Sequence, residues 1–321
     1  LQDFELILVD DCSTDDTWNK LQEFKAHNPE RAIILARNEH NLGPGGTRNH
    51  GLTKSSGEYV IFLDGDDRYD PTLLEKMSKR LDDTHADLVC CGFQEQYGER
   101  TDNKLFSAEL LAEIEHFNAA QGITAVSPFT QATVLFSLFP APWNKMVRRE
   151  FLLAHNISFP DITFGEDRCW AMQMVLKAQR IELIAEPLYH YVLHDSSLSL
   201  ARNVRFVTAF IAQLTFINQL LTKAQLLPKL QDAWHFQLWD TLFTQYHRLS
   251  STPDNQRLLL TQAQAFCQEH QIPCTPEHIP LLGRLGLYKV LSKGHSFLPL
   301  RTKLKEQYRV ARLIKRFNEL L

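Results

Sequence analysis

The chain has 321 residues, with 34 Lys and Arg against 38 Asp and Glu and a formal net charge of -4. That balance excludes a protein built mainly to coat nucleic acid, so no nucleic-acid partner is expected. With 44% hydrophobic, 10% aromatic and 22% charged residues, the chain has the apolar mass for a sizeable core, and the disordered and fibrous classes fall away. The six cysteines, Cys12, Cys90, Cys91, Cys169, Cys267 and Cys274, form neither a C-x-x-C pair nor a regular disulfide spacing, so a reduced, cytoplasmic protein is the simpler expectation. No run approaches the ~18 consecutive apolar residues of a membrane span. The nearest, residues 206–221, is interrupted by Gln213, Thr215, Asn218 and Gln219, and no secretory signal pattern is visible.

In chain order, the apolar run 4–9, bounded by Asp10-Asp11-Cys12-Ser13-Thr14-Asp15, reads as a buried strand ending in a polar loop. A helix is predicted over 15–27: Ser13 or Thr14 offers a cap, Trp18, Leu21 and Phe24 fall at helical spacing, and Asn28-Pro29 stops it. The unit then recurs as strand 32–36, a turn Gly43-Pro44-Gly45-Gly46 and a helix over 45–53. Strand 59–63 follows, then a loop over 64–70, Pro71 at a first helical position, a helix to about Leu81 and strand 87–92. Strands alternating with helices of this length imply an α/β fold, a mostly parallel sheet flanked by helices. Ligands of such sheets bind beyond the carboxyl ends of the strands, where both acidic loops fall.

After residue 98 the pattern loosens into a helix-prone stretch and a Pro-rich segment containing Ser127-Pro128 and Pro140-Ala141-Pro142. Residues 143–156 read as helix, Glu166-Asp167 opens another, and 180–185 and 188–193 read as two short strands. From about Arg202 helix is predicted nearly throughout, with breaks near Pro228, Thr252-Pro253 and residues 273–280. The expected division is an α/β domain over 1–200 and a helical region over 201–321.

Asp64-Gly65-Asp66-Asp67 crowds three carboxylates onto one turn, and their repulsion is relieved by a cation. Mg2+ or Mn2+ suits such hard oxygen ligands and commonly bridges one or two carboxylates to substrate phosphates. A solvated turn capping the helix at Pro71 is the plainer reading of a bare D-x-D. The cluster, however, follows an apolar strand, shares the presumed sheet edge with Asp10-Asp11, and is joined by Glu166-Asp167. Three acidic sites point to a metal and nucleotide pocket with a separate base. Arg48, after the Gly-rich turn, is placed to meet a diphosphate with the backbone N–H groups of the helix start; a flexible turn explains the glycines equally well. Trp143 offers either a ring for a sugar face or a core aromatic. No G-x-G-x-x-G, H-E-x-x-H or nucleophile-elbow pattern is present.

Several stretches, in this order and spacing, carry a resemblance: residues 4–15, Asn41-Leu42-Gly43 with Arg48-Asn49-His50-Gly51-Leu52, residues 57–67, Trp143-Asn144-Lys145, Gly165-Glu166-Asp167 and Glu186-Pro187-Leu188-Tyr189-His190-Tyr191. Over about residues 1–200 the chain resembles the family 2 glycosyltransferases of the GT-A fold, the inverting transferases of bacterial polysaccharide and lipopolysaccharide synthesis. The resemblance implies a nucleotide-diphosphate sugar donor, a UDP-sugar first, a glycan or lipid-linked acceptor, and Mn2+ or Mg2+ as cofactor. It makes Asp11 the acid that contacts the nucleobase, with Asp10 beside it, and sets Asp64 near the ribose and metal. Asp66 would be the principal metal ligand and Asp67 a supporting or substrate contact. Asp167, next to Glu166, would be the general base, and His190 or His194 a histidine that completes the metal site, a surface or core role being the alternative.

Family members open with a strand and helix that precede the equivalent of Leu1, so a truncated or fragmentary version of an active enzyme is expected. Residues 284–317 carry ten basic residues and one acid, Glu306, among Leu298, Leu300, Leu304, Val310, Leu313, Ile314 and Phe317. Such an amphipathic stretch suits a peripheral contact through 284–321 with the inner face of the cytoplasmic membrane; a solvated helix packed on its own domain is the alternative. The rivals are a nucleotidyltransferase, which leaves Glu166-Asp167 without a role, and a non-catalytic scaffold remnant of the fold.

Overall fold

The computed structural model describes residues 3–193, 204–249 and 252–272. The chain divides into two compact units, Leu1–Leu105 with Pro140–Leu193 and Phe106–Phe139 with His194–Leu321. In the first, β1 (Leu6–Asp10) and β2 (Ile33–Arg37) pair in parallel, with α1 (Thr17–Ala26) between them and α2 (Gly43–Lys54) after them. A second sheet is built from β3 (Tyr59–Ile61), β4 (Arg68–Tyr69), β5 (Leu88–Tyr97), β6 (Arg100–Lys104), β7 (Lys145–Arg148) and β8 (Ile181–Leu193). Its order is β3-β7-β5-β8-β4, with β6 also paired to β5. Among the described residues, β1 and β3 each keep one edge without a strand partner.

The α/β class holds, and the sheet is mixed rather than mostly parallel. The pairs β1–β2 and β5–β8 are parallel, whereas β3–β7, β4–β8, β5–β6 and β5–β7 are antiparallel. The alternation of strand and helix stops at β5, which turns through Gly98 (φ +56°) into a hairpin with β6. The predicted helix over 143–156 is a 3-10 turn, Pro142–Asn144, followed by β7 and a short α6 (Arg149–Ala154). Met146 and Val147 there are buried and paired between β3 and β5, so sheet pairing overrides helical propensity. The two strands predicted over 180–193 are one strand. Its register against β5 shifts where Gly92 meets Pro187, which has no N–H for the ladder.

α3 (Leu73–Thr84) forms because Leu73, Met77 and Leu81 recur at four-residue spacing. They are buried with Val89, Cys91, Phe93, Trp143, Met146, Leu188 and Tyr189 in one cluster, each such side chain contributing roughly 1.5–3 kcal/mol. The helix ends at His85, in the left-handed region (φ 54°), and the Arg148 guanidinium donates to Leu81 O at 2.9 Å and Ala86 O at 3.0 Å. α7 (Glu166–Lys177) starts as predicted at Glu166.

The second unit holds α4 (Ala108–Ala120), α5 (Pro128–Ser137), α8 (Val204–Lys223), α9 (Leu227–Arg248) and α10 (Pro253–Glu269). Ser107 and Ser127 cap α4 and α5 by accepting from the N–H of Leu110 and Thr130. The division therefore differs from a single boundary near residue 200: Phe106–Phe139 belongs with the later helices, because α5 packs on α4 and α9. Among the described residues, α8 is one helix long and apolar enough to cross a membrane. Half of its apolar 18-residue window is buried, and Gln213 and Asn218 are among the buried residues of the helix. Asn218 Oδ1 accepts from the buried Trp234 indole at 3.1 Å, the pattern of a core helix. His194, residues 273–280 and residues 284–321 lie outside the described residues.

Candidate active site

The carboxyl end of β1 delivers Asp10 and Asp11. Asp10 is 2% exposed; its Oδ1 accepts from Ser13 N at 3.2 Å and its Oδ2 lies 2.8 Å from Arg37 Nε. Asp11 turns to the start of α2, where its carboxylate accepts from Leu42 N at 2.7 Å, Gly43 N at 2.9 Å and Asn38 Nδ2 at 2.8 Å. Burial pushes the Asp11 carboxyl up, but these donors outweigh it and hold the group below its ordinary value. Asn38, buried after β2, is a site residue that sequence reasoning missed. Its amide also meets Thr47 Oγ1 at 3.0 Å, and its oxygen lies 2.6 Å from His50 Nδ1. The pair at β1 is therefore engaged with the protein itself.

α2 carries Arg48 into the centre of the site. Its Nη2 donates to Asp64 Oδ1 at 2.6 Å and its Nη1 to Glu166 Oε1 at 3.2 Å, so one guanidinium joins the loop after β3 to the first turn of α7. The guanidinium also lies 5.5 Å from the centre of the Phe159 ring. Phe159 is pinned by Asn49, which donates to its carbonyl at 2.8 Å and accepts from its N–H at 2.9 Å. Gly45 allows this closeness, since a Cβ there would stand 2.9 Å from Glu166 Cγ and 3.1 Å from Phe159 Cβ. In the Gly-rich run, then, Gly45 serves close approach and not flexibility alone.

Glu166 and Asp167 follow Gly165, whose φ of +85° turns the chain into α7. Glu166 is 6% exposed. Burial first, and then the neighbouring Asp167, push its carboxyl up to about 7 against the opposing pull of Arg48. Asp167 is partly exposed and accepts from Arg168 N at 2.7 Å. Beneath them, Lys145 is buried with its ammonium on Ala141 O and Asn144 Oδ1, both at 2.8 Å. Burial lowers its pKa.

Around the acidic turn, Asp66 is exposed, whereas Asp67 is held by β8: its Oδ2 accepts from Tyr189 Oη at 2.8 Å and its Oδ1 from Val192 N at 2.7 Å. Burial, with Asp66 and Asp64 nearby, raises the Asp67 carboxyl to about 6 despite those two donors. Tyr189 is the second residue that sequence reasoning missed; it stands in the Glu186 to Tyr191 motif with no role attached. Two residues do not join the cluster. Trp143, 4% exposed, stacks on Tyr189 at 4.2 Å and meets Phe93 edge-on at 4.9 Å; it is a core aromatic, closed to a sugar face. His190 alternates with Tyr189 along the strand and so turns to the other side of the sheet, its Nδ1 3.4 Å from Gln94 Oε1.

Asp64 and Asp66 are hard oxygen donors on one turn. Among the described residues no group of three or more His, Cys, Asp or Glu is assembled for a metal.

The fold is GT-A, a mixed α/β architecture. Compared with solved structures, the chain is similar to S. aureus TarS 1-349, with a TM-score of 0.54 and 19% identity over 98% of this chain and 84% of that one. It is also similar to TarS 1-349 in complex with UDP-GlcNAc, with a TM-score of 0.53 and 21% identity over 82% and 80%. The model of glycosyl transferase family 2 matches residues 1–141 of the chain. Among curated relatives, the cholesterol galactosyltransferase of Borreliella burgdorferi is 30% identical over 62% of this chain and 58% of that protein. The poly(ribitol-phosphate) beta-N-acetylglucosaminyltransferase TarS of Staphylococcus aureus is 26% identical over 59% of this chain and 30% of its own length. The chain thus spans well under two thirds of the length of these relatives.

Proposed function

We propose that the protein transfers a sugar from a nucleoside diphosphate donor, a UDP-sugar first, to a hydroxyl of a glycan or lipid-linked acceptor, with inversion at the anomeric carbon. The observation that carries this reading is the Arg48 bridge. A donor-side acid, Asp64, and an acceptor-side pair, Glu166-Asp167, lie far apart in sequence, yet one guanidinium touches both sides at 2.6 and 3.2 Å. The match of the glycosyl transferase family 2 model to residues 1–141 and a fold shared with a UDP-GlcNAc complex support the donor class.

In this reading Asp64 and Asp66 hold Mn2+ or Mg2+, which when bound offsets the charge of the leaving diphosphate. Arg48 supplies fixed positive charge at the same place. Asp167 takes the acceptor hydroxyl proton as the acceptor oxygen forms its bond to the anomeric carbon and the bond to the diphosphate oxygen breaks, its electron pair leaving with the nucleoside diphosphate. Glu166, buried against Arg48, holds the first turn of α7 in place. The acceptor is drawn from glycans or lipid-linked sugars by the resemblance alone, and peripheral membrane contact through 284–321 belongs with the lipid-linked case.

The test is calorimetric titration of UDP and GDP with and without Mn2+. UDP binding that requires Mn2+, is lost in Asp66→Ala and persists in Asp167→Asn, while sugar transfer disappears from both variants, is the expected outcome. Cation-independent binding that Asp66→Ala leaves intact would overturn it.

A further inference from the structure

Tyr189 is 1% exposed, and a phenyl ring would fill its space as well as a phenol. Its hydroxyl must therefore answer to a polar need. That need lies at the acidic turn. The hydroxyl donates to Asp67 Oδ2 at 2.8 Å and stands 3.4 Å from Asp64 N, which points at it, so one oxygen reaches both ends of the Asp64 to Asp67 turn. The turn is also closed by Asp67 N donating to Asp64 O at 3.2 Å. The other Asp67 oxygen accepts from Val192 N at 2.7 Å, further along the same strand. Both Asp67 oxygens are thus already engaged with β8.

The ring that carries this hydroxyl has little freedom. It stacks on Trp143 at 4.2 Å with 11° between the planes, and Trp143 is set in turn by Phe93 at 4.9 Å. Tyr189 pairs through its backbone with Phe93 on β5 and with Tyr69 on β4. β4 begins one residue after Asp67, so the far end of the turn is hydrogen-bonded to the strand that holds Tyr189.

We propose that Tyr189 is a positioning residue of the donor site: its hydroxyl, with the Val192 amide, fastens Asp67 to β8 and holds the Asp64 to Asp67 turn in the shape that presents Asp66 at its apex. Three neighbouring carboxylates repel one another, and an unfastened turn would have to be ordered by the incoming cation and nucleotide at their own cost in affinity. With the turn already fixed, that cost is removed before binding. The inference rests on the donor-site reading above and gives Asp67 the supporting role of its two alternatives, as an anchor of the turn and not a substrate contact.

The test is calorimetric binding of Mn2+·UDP, and of Mn2+·GDP should UDP not bind, to the full chain and to Tyr189→Phe, Asp67→Asn and Asp67→Ala. Tyr189→Phe keeps the stack and is expected to weaken nucleotide binding about tenfold, equivalent to ~1.4 kcal/mol, and to raise the Mn2+ concentration needed for half-saturation. Asp67→Asn can still accept from Val192 N and meet Tyr189 through its amide, so it is expected to lose less affinity than Asp67→Ala. A charge acting directly on cation or substrate predicts the reverse: Tyr189→Phe binds as the unaltered chain does, and Asp67→Asn is as weak as Asp67→Ala. That pattern overturns the proposal while leaving the donor site standing. Should Tyr189→Phe fail to fold, the Asp67 pair alone decides the question. Failure of the unaltered chain to bind either Mn2+·nucleotide overturns the donor-site reading and the proposal together.

Discussion

At the residue scale, Glu166 makes a definite prediction. Its carboxyl stands at about 7 in the folded protein against 4.5 for a free glutamate, because burial disfavours its charge. A group whose folded value is raised binds its proton more tightly when folded, so its stabilising contribution is complete below pH ~4.5 and is lost as pH rises to about 7. The loss is roughly 3 kcal/mol over that window. Urea midpoints followed from pH 4.5 to 8 are expected to fall more steeply for the unaltered chain than for Glu166→Gln; parallel curves would contradict this. Much of the site was legible in sequence. The placement of its residues follows local pattern: Asp64 and Asp66 come after β3, Arg48 lies inside α2 and Asp167 opens α7. Asn38, Tyr189 and the choice between the two roles of Trp143 were not legible, since each depends on partners 9 to 125 residues away that no local pattern names.

At the scale of elements, α2 is opened from outside itself. Asp11, on the loop after β1, receives the N–H groups of Leu42 and Gly43, two of the four that a helix start leaves unmet. Asp11→Ala strips these donors and Asn38 Nδ2 of their acceptor, and a loss of about 2 kcal/mol in urea unfolding is expected. A nucleobase contact without capping predicts weaker UDP binding at unchanged stability, so the two measurements together separate the roles. Most strands and helices were readable because their signals are local: apolar runs, Pro29 and Pro71, and the four-residue repeat in α3. β7 was not, because Lys145-Met146-Val147-Arg148 is too short to show a period of two and becomes a strand only between β3 and β5. Pro187 splits the apparent pattern of β8, although the strand continues through it.

At the scale of the whole molecule, the second unit is discontinuous in sequence, and a cut at residue 200 leaves α4 and α5 without α9. α5 buries Ala132, Val134 and Leu135, and Phe136 lies stacked with Trp234 at 6.5 Å. A chain ended at residue 200 is expected to bind a hydrophobic dye and to associate with rising concentration, the full chain doing neither; dye fluorescence and light scattering check it. The same interruption sets the order of events during synthesis. One edge of β5 is covered early, by β6 and β7, but the other waits for β8. Asp87, at the head of β5, meets the N–H of Arg180 only across 93 residues. At ~5 to 20 residues per second of translation that wait lasts roughly 5 to 19 s. Throughout it the uncharged run Leu88-Val89-Cys90-Cys91-Gly92-Phe93 presents an open strand edge to its neighbours on the polysome. Asp87 in front of that run is then a gatekeeper against premature pairing before it becomes the clasp that joins β5 to β8.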